Sequence, residues 1–387
     1  MKGPLDGIRV MDITHHAVGP WAGSLLGMMG ADVIKIEPPE GDSLSRNPPP
    51  YKAGFGTSYI ASNVSKRCAI LDLRDEKARQ IAYALLRTCD VLVENHRPGY
   101  LARRGFDYET ASKINPRLIY CSSSGYGSRG PWKDMGSGNG NGDAVSGAAS
   151  VSGPVGGPTE GLHGGSHFDL NSSAYIVTGI LAALYSRELT GKGQKVETSQ
   201  MQMSMALAGP RAQEYYVSGK NPLPMGSGVS NIVPSRAYKA KDGKYVNITA
   251  DDNKTWKALC EAFGLFQLAN DPRFDTNPKR VEHRDEVDRQ IEGAVSQRTS
   301  SECTEALESR QVPCGVNYYH NELKMDPQVR QLRMLEQIFT PWGEVRVAGL
   351  PWRFSKIPGE IRPTRKPGQD TEEILALAEA IAKRPSL

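Results

Sequence analysis

The 387-residue sequence contains no run of about 18 apolar residues, and its opening, Met1-Lys-Gly-Pro-Leu-Asp6, lacks a signal-peptide core. A membrane span and export are therefore not expected, and the cytoplasm is the default compartment. Cysteine is sparse and unpaired: Cys68, Cys89, Cys121, Cys260, Cys303 and Cys314 form no C-x-x-C pair. Neither a disulfide framework nor a zinc or other metal site is expected, and buried free thiols are. There is no long basic run with interleaved aromatics, and a formal charge of +4 is mild for this length, so nucleic acid is not an expected partner. A glycine fingerprint is missing too. Where a dinucleotide-binding fold carries G-x-G-x-x-G, this chain reads Thr14-His-His-Ala-Val-Gly-Pro20, so NAD in the usual mode is unsupported.

What is present is an ordinary globular composition, 39% hydrophobic and 23% charged, in a chain long enough for two domains. Ile8-Arg-Val-Met11 reads as a buried strand, Pro20 suits the first turn of a helix that stops at Gly30, and Ala31 to Glu37 reads as a second strand. Strand, helix and strand within about 30 residues make a βαβ unit, which implies a parallel sheet. The rhythm continues through strands at 67–73, 90–94 and 115–125 and an amphipathic helix from Glu76 to Thr88. The expected fold class is α/β, with a Rossmann-like large domain in 1–217. A Gly-, Pro- and Ser-rich linker and a smaller α+β domain, opened by a hairpin turning at Lys241-Asp-Gly243, fill 218–325. Residues 326–387, ending in a helix from Thr371 to Lys383, are expected to return to the large domain.

Two stretches bear on chemistry. The run Gly136-Ser-Gly-Asn-Gly-Asn-Gly142 reads as a loop, flexible or closing over a ligand, because no helix pattern follows it directly. Beyond it, Leu170, Ala174, Val177, Leu181 and Leu184 recur at helical spacing, which places Asp169 at a helix start. A carboxylate there meets unpaired backbone N–H groups and the positive end of the helix dipole, so Asp169 reads locally as an N-cap held in its ionised form. Met201 to Tyr216 offers methionine and tyrosine at helical spacing, a core pattern more often than the wall of an acyl pocket.

Several stretches together resemble the class III (CaiB/BaiF, formyl-CoA transferase-like) CoA-transferases. They include Pro4 to Thr14 with Gly19-Pro20, Gly30 to Pro39, Asn63-Val-Ser-Lys-Arg67, Asp90-Val-Leu-Val-Glu-Asn-His-Arg-Pro-Gly99, Asn115-Pro-Arg-Leu-Ile119, Gly179 to Leu184, Val312-Pro-Cys-Gly-Val316 and Gly368-Gln-Asp-Thr371. The similarity runs over nearly the whole chain. It implies that Asp169 is the catalytic aspartate. In the family mechanism that carboxylate attacks a donor acyl-CoA, often succinyl-CoA, and an aspartyl anhydride and then an aspartyl-CoA thioester follow before an acceptor acid leaves as its CoA ester. An aspartate of ordinary pKa, about 3.9, is ionised at neutral pH and needs no general base. The positions matching family contacts to coenzyme A are His16, Ala17, Leu71, Asn95, His96, Arg103 and Gly138, with Arg97 and Lys66 as weaker candidates. The resemblance further implies an interlocked dimer, as a homodimer or a heteromer with a similar subunit. It also makes an acyl-CoA donor and a carboxylic acid acceptor the partners.

Departures from the family pattern bear on the reaction. The α-methylacyl-CoA racemases share the fold and place a histidine about seven residues after a Gly-Pro pair; after Gly130-Pro131 this chain has glycine near that position, at Gly138. Two-base racemisation then lacks a base unless His163 or His167 supplies it, and an acyl-CoA racemase or epimerase stands as the alternative. Some family members work in pairs with a silent partner, so a catalytically silent subunit is a further alternative. No multi-glycine loop of the formyl-specific kind occurs near Met225-Gly-Ser-Gly-Val229, which argues for an acceptor larger than oxalate or formate. Gly164 and Gly165, or the run Gly136 to Gly142, are the candidates for backbone donors to an oxyanion.

Overall fold

The computed structural model describes residues 3–42, 49–161 and 167–383, without the side chains of 167 and 168. Six strands, Arg9–Ile13, Asp32–Glu37, Lys66–Ile70, Val91–Glu94, Ile119–Ser124 and Gln194–Ser199, form one parallel sheet, and in chain order they lie 3-2-1-4-5-6 across it. Successive side chains of a strand point to opposite faces, so these apolar runs feed two cores. Val10, Val33, Val91 and Val93 pack on one face with the helices Val18–Met28 and His167–Thr190. Met11, Ile34 and Leu92 pack on the other with the helices Glu76–Leu86 and Thr371–Ala382. The protein is thus α/β, a parallel sheet between helical layers, accompanied by smaller antiparallel sheets.

The helix Val18–Met28 is buried along almost its whole length, and Gly19, Gly23 and Gly27 face what it lies against. A Cβ on Gly23 would stand 2.4 Å from Asp12 Oδ2 and 3.1 Å from Lys66 Nζ. On an exposed helix Gly→Ala gains about 1 kcal/mol, but here the overpacking outweighs it. Gly23→Ala is expected to destabilise the protein by about 2–3 kcal/mol, and an unchanged midpoint in denaturant titration would refute the close-packing account.

The chain divides into two compact units, the first being Met1–Ala149, Gly161–Lys220 and Pro327–Leu387, the second Ser150–Glu160 and Asn221–Asp326. The expected division at 217/218 and 325/326 did not include Ser150–Glu160 in the small unit. Within the second unit the strands Ser235–Lys239, Tyr245–Thr249 and Cys314–Val316 form an antiparallel sheet, and Trp256, Phe263, Val287 and Ile291 fill its core with Val246 and Ile248.

One sequence-based expectation needs correction. The run Gly136 to Gly142 is not wholly loop, because Asn139–Ser146 is helical. The helix packs against Gln200–Leu207, with Gly142 and Asp143 buried, so tertiary contact outweighs glycine's poor helix propensity. Regular structure occupies part of the stretches around 200–234 and 320–370. The first begins with the helices Gln200–Leu207 and Gly209–Ser218. The second holds an antiparallel hairpin, Leu335–Thr340 with Gly343–Ala348, whose Ile338 and Val347 join the large unit's core. The terminal segment then seals the edge strand Lys66–Ile70: the Cys68 amide donates to Asp370 Oδ2 at 2.8 Å and the Ile70 amide to Thr371 Oγ1 at 3.1 Å. Among the described residues no helix is long and apolar enough to cross a membrane.

Candidate active site

In an open parallel sheet, ligands bind where the strand order reverses, outside the carboxyl ends of the strands. Here that point lies between Arg9–Ile13 and Val91–Glu94, and the segments leaving them, 14–17 and 95–98, are tied together. Asn95 accepts from the His15 amide and donates to the His15 carbonyl, each at 2.8 Å. His16 holds a left-handed φ of 63°, a costly backbone for a non-glycine residue. Its amide donates to Asp42 at 3.2 Å, Asp42 pairs with the buried Lys35 at 3.1 Å, and Lys35 also donates to the Thr14 carbonyl at 2.9 Å. These contacts hold the turn in place.

Above the turn lies a cavity of about 330 Å³. His16 and Ala17 line it from the first strand's exit, Asn95, His96 and Arg97 from the fourth, Ser123 and Ser124 from the fifth, and Gln200 from the sixth; Lys133, Ser137, Gly138 and Asp169 close it. A second cavity of about 300 Å³ lies over the exits of the first three strands and is lined by Leu71, Arg74, Tyr100 and Arg104. His15 and His96 border both. A stacked column separates them: His15 on His96 with ring centres 4.4 Å apart, His96 on Tyr100 at 4.1 Å, and the Arg104 guanidinium 3.6 Å from the Tyr100 centre. Burial, with the charge of His16 against His15 and that of His15 against His96, lowers His15 to about 4 and His96 to about 3, so both rings are neutral at physiological pH.

Asp169 stands in the first turn of the helix His167–Thr190. Its amide donates to Asn139 Oδ1 at 3.1 Å, and its Oδ1 accepts a short hydrogen bond from Gln200 Nε2. The expectation of an ordinary carboxyl pKa is corrected here. Burial pushes it up to about 6 and nearby Asp143 adds to this, while the Gln200 hydrogen bond and His16 oppose both. The environment outweighs the helix terminus. Below about pH 6 the proton occupies the carboxylate, so a rate that depends on Asp169 as a nucleophile should fall tenfold per pH unit there and level off above. A kcat/KM profile without an acid limb between pH 5 and 7 would separate Asp169 from the rate.

Of the residues singled out in the sequence, His16, Ala17, Asn95, His96, Arg97, Gly138 and Asp169 meet around one cavity and Leu71 lines the other. Arg103 lines neither, whereas its neighbour Arg104 lines the second. Lys66 is away from both: its ammonium is buried against Asp12 Oδ2 at 2.8 Å, the Pro20 carbonyl at 2.6 Å and Asn63 Oδ1 at 3.0 Å. Of the stretch Met201 to Tyr216, Met203 packs inside and none lines the Asp169 cavity. His163, Gly164 and Gly165 lie outside the described residues, as does the side chain of His167. Sequence reasoning missed Gln200, Ser137 and Lys133. It also missed Glu94, which is buried, pushed up to about 7 by that burial, and accepts from Ser122 and from the His96 amide at 2.8 Å. Gln200 and Glu94 carried one usable signal, since each sits at the carboxyl end of a sheet strand. The cysteines are poor nucleophiles, for burial raises all six thiols.

Comparison with known proteins is consistent along the whole chain. The family model of CoA-transferase family III matches residues 5–371. An acetyl-CoA:oxalate CoA-transferase of Acetobacter aceti is 35% identical over 351 residues, 90% of each chain. A succinate–glutarate CoA-transferase of Agrobacterium fabrum is 33% identical over 99% of this chain and 97% of its own. Among solved structures, a CaiB/BaiF family protein from Brucella suis superposes with a TM-score of 0.87 at 31% identity, covering 98% of this chain and 100% of that one.

Proposed function

The chain belongs to CoA-transferase family III and is an enzyme of that class, and from that premise we propose that it moves CoA from succinyl-CoA to a dicarboxylic acid through covalent intermediates on Asp169. One observation carries the reading. Asp169 is the single carboxylate among the described residues around a cavity that also holds Arg97 and Lys133. A lone carboxylate among cations suits a site that must receive anionic acids and expose one carboxylate to a thioester.

The chemistry follows from the groups. The Asp169 carboxylate attacks the thioester carbonyl, the C–S bond breaks, and the CoA thiolate leaves with the electron pair, giving a mixed anhydride. The thiolate then attacks the Asp169 carbonyl carbon and releases the donor acid, leaving an aspartyl-CoA thioester. An acceptor carboxylate reverses these steps. At about pH 7, above the carboxyl's value of about 6, most of Asp169 is ionised and no separate base is needed. Burial also makes the carboxylate less solvated.

Racemisation needs a second base across the α-carbon. Gly138, the position where that reading requires a histidine, lines the cavity with no side chain to offer, which favours transfer. The acceptor class is supported by the relatives, named for oxalate, glutarate and D-citramalate. The relative named for oxalate leaves that acid within the class, although this chain lacks a multi-glycine loop near Met225-Gly-Ser-Gly-Val229. Arg97 and the second cavity, with Arg74 and Arg104, are assigned to the phosphates and adenosine of CoA. Arg97→Ala is expected to raise KM for the acyl-CoA about tenfold or more with a smaller change in kcat, and an unchanged KM would remove Arg97 from the CoA site.

The decisive experiment is incubation of this chain alone with succinyl-CoA, trapping with hydroxylamine or borohydride, and peptide mass analysis. Modification confined to Asp169 supports the covalent route and sets aside the silent-subunit alternative. Exchange of α-hydrogen for deuterium with no modified peptide would install the racemase reading instead.

A further inference from the structure

Gln200 is the first residue of the helix Gln200–Leu207, directly after the sheet's last strand, and its side chain reaches the cavity between two fixed partners. Its Nε2 donates to Asp169 Oδ1, and its Oε1 accepts from Ser137 Oγ at 3.1 Å. A carboxylate only accepts, so the amide must turn its NH₂ toward Asp169, and the Ser137 hydroxyl fits the opposite end. Gln200 is itself buried. The amide is therefore held in one orientation before any substrate arrives.

Resting on the reading of Asp169 as the nucleophile, we infer that Gln200 is a catalytic residue that assigns the two carboxylate oxygens different fates, keeping Oδ1 as the permanent carbonyl oxygen and leaving attack to Oδ2. When Oδ2 attacks the donor thioester, Oδ1 becomes the carbonyl oxygen of the aspartyl anhydride. When CoA thiolate then adds to the Asp169 carbonyl carbon, the electron pair of that C=O moves onto Oδ1. Gln200 Nε2 donates to that oxyanion from where it already stands. The oxyanion collapses, the bond to Oδ2 breaks, and the donor acid departs carrying Oδ2. In the second half-reaction the acceptor carboxylate adds to the same carbon, negative charge again gathers on Oδ1, and thiolate leaves. The bridging oxygen of the new anhydride comes from the acceptor. Thiolate attack on the acceptor carbonyl then returns a carboxylate with the original Oδ1 and one oxygen from the acceptor. Each turnover thus exchanges one oxygen of Asp169 and spares the other, provided the carboxylate does not flip.

The test is an isotope count. The enzyme turns over many times with succinyl-CoA and an excess of a mixture of oxalate, succinate and glutarate labelled with ¹⁸O in their carboxylates, is quenched and digested, and the Asp169 peptide is weighed. One ¹⁸O in the wild type and two in Gln200→Leu is the expected result. Two in the wild type would show that the carboxylate rotates freely and would overturn the role of Gln200. No label in an enzyme that transfers CoA would overturn the Asp169 reading itself. Removal of one oxyanion donor should lower kcat about 10²–10³-fold. Gln200→Leu is paired with Ser137→Ala, which leaves Gln200 in place but frees its far end. That variant should give an intermediate count and a smaller loss of kcat, and a single ¹⁸O in both variants would overturn the proposal.

Discussion

Asp169→Ala is expected to abolish CoA transfer, with kcat falling on the order of 10⁶-fold, as when a covalent nucleophile is removed elsewhere. It is also expected to raise the melting temperature at pH 7, and this second effect separates lost chemistry from lost structure. The carboxyl's folded value of about 6 lies above the ordinary 3.8, because burial disfavours its charge. A group raised in this way contributes stability that is fully present below about pH 3.8 and lost as pH rises through about 6. At pH 7 the folded protein carries a poorly solvated charge that the variant does not. Melting curves should therefore place the variant above the wild type at pH 7 to 8, with the gap closing at pH 4. Residual transfer within tenfold of wild type would end the nucleophile assignment. A variant less stable than wild type at pH 8 would show that the carboxylate's hydrogen bonds outweigh its desolvation.

Lys66→Met has the largest expected effect on folding. Lys66 and Asp12 are both buried, 2.8 Å apart, beneath the helix Val18–Met28, and Lys66 donates in addition to a backbone carbonyl and an asparagine. Although burial alone would raise the Asp12 carboxyl, Lys66 and Lys35 hold it below its ordinary value. Removing the ammonium leaves a carboxylate away from water with its main counter-charge gone, at a cost of about 3–5 kcal/mol. Asp12→Asn combined with Lys66→Met should recover part of that loss, because the buried charge goes while an acceptor for the Thr14 amide stays. Denaturant titration of the single and double variants measures this. If Lys66→Met left stability unchanged and instead raised KM for acyl-CoA, the lysine would be a ligand contact.

Lys66 also shows how far a sequence can be read. The chain determined by itself that a parallel sheet would form, since runs such as Val91-Leu-Val93 are apolar on both faces and alternate with amphipathic helices, a pattern stable only between two helical layers. Most of the residues that meet around Asp169 were marked by the family resemblance: His16 and Ala17 follow one strand and Asn95 to Arg97 another. The chain by itself did not determine the helix Asn139–Ser146, whose glycines disfavour it until Gln200 and Ser204 pack against Gly142. The hairpin at 335–348 gains its stability from burying Ile338 and Val347, a long-range contact with no local sign.

The site divides in the same way. A motif puts Asp169 at a helix start, where the local field favours the ionised form. Only the folded chain adds the desolvation that raises its pKa to about 6 and brings up Gln200, 31 positions along the sequence, to bond one of its oxygens. Local sequence specifies residue type and backbone tendency. Dielectric surroundings and hydrogen-bond partners across the sheet depend on which distant strands end at the same place, and tertiary structure decided those.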